Sequence, residues 1–171
     1  MKSLLHISKY SFFLLLITSC DKEENIPVDT SLSVRLIASS YEIKSGDSLT
    51  VSVEVKNADS LFALSFELNF DSNLFSVSTV DIASVGNLFS DPFPAELPIF
   101  FSDGQVSVGF GEWGSMQNTV SGTACYMIFT ALNTGTGTLY ISSIEMIKKD
   151  GYEIDGLENL MIDSIEIQVI E

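Results

Sequence analysis

The chain has 171 residues, with 23 Asp and Glu against eight Lys and Arg and a formal net charge of −15 at pH 7. Such a surface repels nucleic-acid phosphates and anionic lipid head groups, which excludes nucleic acid as a partner and favours a cationic or mixed-charge one. A single histidine, His6, and two cysteines, Cys20 and Cys125, leave little material for nucleophilic or metal chemistry.

In chain order, residues 1–19 form a targeting segment. Lys2 and Lys9 supply a positive start, and Ser11 to Ile17 (SFFLLLI) an apolar core far shorter than the roughly 20 residues of a membrane span. Thr18 and Ser19 are small and precede Cys20, the layout of a cleaved secretory signal. Leu16-Ile17-Thr18-Ser19-Cys20 resembles the lipobox of bacterial lipoproteins. The resemblance implies cleavage before Cys20, a diacylglycerol thioether on its sulfur and acylation of the new amine. Each buried CH₂ then adds about 0.8 kcal/mol, so two or three chains anchor the protein to a membrane. The alternative is an ordinary signal followed by a chance cysteine. Cleavage removes Lys2, Lys9 and no acid, taking the net charge from −15 to −17. Cys20-Asp21-Lys22-Glu23-Glu24 resembles the export signal of surface lipoproteins in some Gram-negative bacteria, which implies exposure on the outer membrane. With Cys20 acylated, Cys125 has no disulfide partner and is expected to be a small core residue. With His6 removed, no Ser-His-Asp, Cys-His or histidine–zinc arrangement can form, and neither enzyme activity nor a cofactor is expected.

Residues 20–31 comprise the lipid cysteine and a polar, flexible tether; a single domain spans 32–171. From Leu32 the sequence reads in twos. Leu32, Val34 and Leu36 alternate with polar residues, a turn falls at Lys44 to Ser48, and Leu49, Val51, Val53 and Val55 form the next apolar face. Phe62, Leu64, Phe66, Leu68 and Phe70 point one way, and Leu61, Ala63, Ser65, Glu67 and Asn69 the other, until Asp71-Ser72-Asn73 turns the chain. A strand over Leu74 to Val80 leads into a loop from about Ala83 to Phe100. Its three prolines exclude a central strand, and its phenylalanines are expected to plug one end of the core. Asp103-Gly104 signals a hairpin into Gln105 to Phe110. Thr123 to Leu132 is expected to bury Cys125, Met127, Phe129 and Ala131 and to show Tyr126, Ile128 and Thr130. After a turn at Asn133 to Gly137 come strands over Thr138 to Ile147 and Ser164 to Ile170. Eight to nine short strands without an amphipathic helix predict an all-β fold, a two-sheet antiparallel β-sandwich.

The order of these features resembles a cohesin domain. Ser45 to Val55 (SGDSLTVSVEV) is similar to that family's early strand, and Leu61 to Leu74 to its Phe-rich strand and following turn, with Phe70 where a tyrosine is usual and Ser72 where proline is common. Gly122 to Ala131 and Asp150-Gly151-Tyr152-Glu153-Ile154 resemble two later segments, and the match spans Ser33 to Val169. The resemblance implies a nine-stranded jelly roll, a fold shared with carbohydrate-binding modules. It also implies a non-catalytic receptor for dockerin modules, often carried on polysaccharide-degrading enzymes.

In cohesins one flat sheet face carries the partner. The expected partner-binding positions are Ala63, Ser65, Glu67 and Asn69 on one strand and Tyr126, Ile128 and Thr130 on another, with Trp113 at the rim. Direct carbohydrate binding is the alternative, with Trp113 and Tyr126 or Tyr152 as a stacking platform; a structural envelope protein is the third reading. Paired carboxylates such as Asp103 and Glu112 lack a predicted cleft. Asp150, Glu153 and Asp155 do not match a calcium loop and are expected to form a surface turn, so no metal site is expected.

Overall fold

The computed structural model describes residues 30–81, 88–89, 100–111 and 119–171. The expected signal segment with His6, Cys20, nearly all of the expected tether, the prolines of the long loop, Glu112 and Trp113 lie outside them.

Period-two burial builds two stacked sheets. The first has five strands in the order β10-β1-β3-β8-β5, from β1 (Ser33–Ala38), β3 (Ser48–Asp59), β5 (Phe75–Asp81), β8 (Thr119–Ala131) and β10 (Met161–Ile162). The second has six in the order β2-β11-β9-β4-β7-β6, from β2 (Glu42–Lys44), β4 (Leu61–Asn69), β6 (Phe100–Ser102), β7 (Gln105–Gly111), β9 (Gly135–Lys148) and β11 (Ile165–Ile170). One 3-10 turn, Leu157–Asn159, is the sole helical element among the described residues. The sandwich is therefore the expected one.

Eleven strands replace the expected eight or nine because β2, β6 and β10 are only two or three residues long, too short for alternation to reveal. Two pairings are parallel rather than antiparallel, β1 with β10 and β11 with β2. The expected turn over Asn133 to Gly137 is shorter, since β9 already begins at Gly135.

The core lies between the sheets. Val51, Val53 and Val55 of β3, Leu64, Phe66 and Leu68 of β4, and Cys125, Met127, Phe129 and Ala131 of β8 are buried, as are Ile165, Ile167 and Val169 of β11. Burying a side chain of this size contributes about 1.5–3 kcal/mol each. Phe129 is contacted edge-on by Phe70 at 5.4 Å and Phe75 at 6.4 Å between ring centroids, geometry that suits the ring quadrupole. Of the long loop, Leu88 and Phe89 are buried in this core. Leu61, expected to face outward, is buried instead, because a register irregularity between Leu61 and Ala63 displaces the first residues of β4.

Candidate functional site

The middle of the six-stranded sheet presents an outer face built by three neighbouring strands. β4 lies between β7 and β9, and its outward residues are ranked with theirs across the sheet. Ser65 stands opposite Gly109 and Glu145, Glu67 opposite Ser107 and Ser143, and Asn69 opposite Gln105 and Tyr140. Ala63 heads the series opposite Gly111 and Ile147. The four β4 positions predicted from sequence thus share one surface.

Side-chain hydrogen bonds fix that surface. The Gln105 amide donates to Glu67 Oε2 at 3.3 Å, the Ser65 hydroxyl to Glu145 Oε2 at 3.4 Å, and the Asn69 amide to Ser142 Oγ at 2.5 Å. Ala63, Ser65, Ser107 and Gly109 keep its middle low, so the backbone of a partner can approach closely. An ideal Cβ built at Gly109 would meet Ser65 Cβ at 3.6 Å, ordinary contact. The charges on this middle zone, Glu67 and Glu145, are of one sign.

Alternation alone misses Ser142, Ser143 and Glu145. β9 buries Leu139 and Ile141 and then Met146, a switch from odd to even positions. The irregularity opposite Glu67 and Leu68 inserts one residue into β9 and reverses its phase.

Tyr126, Ile128 and Thr130 correct the expectation of a single face. They lie on β8, in the five-stranded sheet, where Tyr126 pairs with Ser52, Ile128 with Thr50 and Thr130 with Ser48. Stacked sheets are about 10 Å apart, and the outward sides of β4 and β8 look in opposite directions. No single partner surface can include both sets. Around Tyr126 the second face is mixed: Ser52 is buried between Ile37 and Tyr126 and donates to the Ile37 carbonyl at 3.4 Å. Farther along, Arg35 pairs with Asp163 at 3.5 Å. Trp113 falls outside the described residues.

Other reactive groups are committed elsewhere. Burial pushes the Cys125 thiol up to about 12, which disfavours the thiolate a nucleophile needs. The 150–155 segment is the expected turn. Asp150 Oδ1 accepts the Tyr152 N–H at 3.1 Å, and Lys148 Nζ lies 2.9 Å from Asp155 Oδ2. That hydrogen bond raises the Lys148 ammonium above its ordinary range. Among the described residues no three His, Cys, Asp or Glu side chains converge as a metal site.

The family model for the cohesin domain matches residues 35–168. The chain belongs to the cohesin family. Its sandwich is similar to a non-cellulosomal cohesin from the archaeon Archaeoglobus fulgidus, with a TM-score of 0.63 at 19% identity over 81% of this chain and 92% of that one. It is similar to a cohesin module of a family 33 glycoside hydrolase from Clostridium perfringens, with a TM-score of 0.61 at 11% identity over 82% and 97% of the two chains. It also resembles the third cohesin of ScaC from Acetivibrio cellulolyticus, solved with the ScaB dockerin, with a TM-score of 0.61 at 17% identity over 82% and 99%. Among curated protein sequences, none matches this chain significantly. At these identities the solved cohesins establish the fold alone.

Proposed function

We propose that this cohesin is a non-catalytic receptor that docks a dockerin-type module on the outer face of its six-stranded sheet. The observation that carries the reading is the low, hydrogen-bonded surface of Ala63, Ser65 and Glu67 with Ser107, Gly109 and Glu145 across β7, β4 and β9. Small side chains admit close approach of a partner element. Two acids without a cation in their midst select a partner carrying Lys or Arg there. Similar solved cohesins captured with dockerins support the partner class. The five-stranded face is the weaker candidate, because its charges are mixed and Arg35 is already paired.

The test is capture of dockerin-bearing proteins encoded in the same genome by immobilised protein. Ser65→Arg puts a long cation in the middle of the β4 face and is expected to abolish capture. Tyr126→Asp, on the opposite sheet, is expected to leave it intact. Capture that survives Ser65→Arg but fails with Tyr126→Asp would transfer docking to the five-stranded sheet and overturn the assignment.

The same proposal places the receptor on a membrane through acylated Cys20, with its surface position supported by the Asp21-Lys22-Glu23-Glu24 run. A docked partner carrying a polysaccharide-degrading activity would thereby be held at the cell surface.

A further inference from the structure

At one end of the six-stranded sheet lies an open depression of about 480 Å³. Three segments meet there: the β4–β5 turn with Asp71, the β6–β7 hairpin with Asp103, and the start of β9 with Thr136, Thr138 and Tyr140. Its framework is fixed by the backbone. The Phe70 N–H donates to the Gly104 carbonyl at 2.9 Å, tying turn to hairpin. Gly104 has φ +75°, and a Cβ there would sit 2.9 Å from the Phe70 oxygen, so only glycine allows this approach. Asp71 Oδ1 accepts the Asn73 N–H at 2.9 Å and so is held in one orientation.

The lining combines two chemistries. Tyr140 is 46% exposed and offers a flat apolar ring with a polar tip. Asn69, paired with it across the sheet, gives one amide N–H to Ser142, which leaves its carbonyl oxygen and second N–H for another group. Asp71 and Asp103 add carboxylate acceptors, and Thr136 and Thr138 add hydroxyls along the same face of β9. An aromatic plane beside planar amide and carboxylate groups fits a ligand with an apolar C–H face and a rim of vicinal hydroxyls. Two acids, with no Lys or Arg in the lining, reject an anionic ligand.

We infer that this depression is a subsite for a neutral polysaccharide, in which Tyr140 stacks on one pyranose ring while Asn69, Asp71 and Asp103 bind its hydroxyls. The inference goes beyond docking and does not depend on it.

The test is affinity electrophoresis of the purified protein in native gels containing mixed-linkage β-glucan, arabinoxylan or galactomannan, with polygalacturonate as the anionic control. Retardation is expected in at least one neutral gel. Tyr140→Ala is expected to weaken it by about tenfold or more, as loss of an aromatic anchor does. Tyr140→Phe should keep most of it, which separates stacking from a folding defect. Tyr41→Ala removes a more exposed tyrosine, at 55%, next to the edge strand β2 and should change nothing. Absence of retardation in all three neutral gels would overturn the inference. So would retardation unaffected by Tyr140→Ala, or stronger retardation by polygalacturonate.

Discussion

Cys125 shows how one buried atom makes stability depend on pH. Its thiol is fully enclosed on β8, and desolvation raises its pKa from 9.0 to about 12. In the unfolded chain the thiol ionises near 9 and loses its proton first. Between pH 9 and 12 the unfolded state therefore binds fewer protons than the folded one, and stability falls as pH rises. The slope contributed by this group is at most about 1.4 kcal/mol per pH unit. Below pH 9 both states hold the proton and the term vanishes. Chemical denaturation of the wild type and Cys125→Ala at pH 8, 10 and 11 should show the wild type losing stability faster across the alkaline steps. Parallel curves would show that the thiol ionises equally in both states.

Contacts between elements set a different kind of limit where β9 leaves its turn. Gly137 passes directly over Leu74 and Phe75; an added Cβ would lie 2.7 Å from the Phe75 ring and 2.9 Å from Leu74. Both neighbours are buried, and Phe75 also packs on Phe129, so neither can yield cheaply. Gly137→Ala is expected to cost about 1–3 kcal/mol through overpacking. Gly109→Ala, whose new methyl meets Ser65 at ordinary distance, should cost far less. Equal melting temperatures for the two variants would refute this packing account.

The same elements show what the sequence discloses. Alternation from Leu64 onward in β4, from Cys125 onward in β8 and throughout β11 revealed which side chains enter the core, because a half-buried strand exposes every second residue. It could not reveal which sheet a strand joins. Ser60 alone separates β3 from β4, yet the two strands lie in different sheets, with Asn57 and Ser60 at φ 57° and 56° turning the chain between layers. Tyr126 and Glu67 are both outward, on opposite sides of the molecule, for that reason. Irregularities hid other parts of the site: Glu145 reaches the β4 face only because β9 changes phase midway. Tyr140 needed no irregularity; its place beside Asn69 is a matter of register, which alternation leaves open.

For the whole molecule, the two ends of the sandwich differ in what the chain brings to them. β1 enters the domain at Ser33, level with Lys56, and that end of β3 leads through Ser60 to Leu61, paired with Lys148. The Tyr140 depression lies at the far end of β4, eight residues on, or roughly 27 Å at about 3.4 Å per residue. An anchor on Cys20 would attach through residues 21–31, which span at most about 40 Å when fully extended. It would join the domain at its entry end, with the depression at the opposite end and the β4 face along the flank. Both proposed binding surfaces would then be clear of the point of attachment. The arrangement rests on Cys20 carrying acyl chains. Metabolic labelling with radioactive palmitate should mark the wild-type protein and leave Cys20→Ala unlabelled, with the variant shifting from the membrane to the soluble fraction. A wild-type protein that takes no label, or a Cys20→Ala variant that stays with the membrane, would remove the anchor and with it this arrangement.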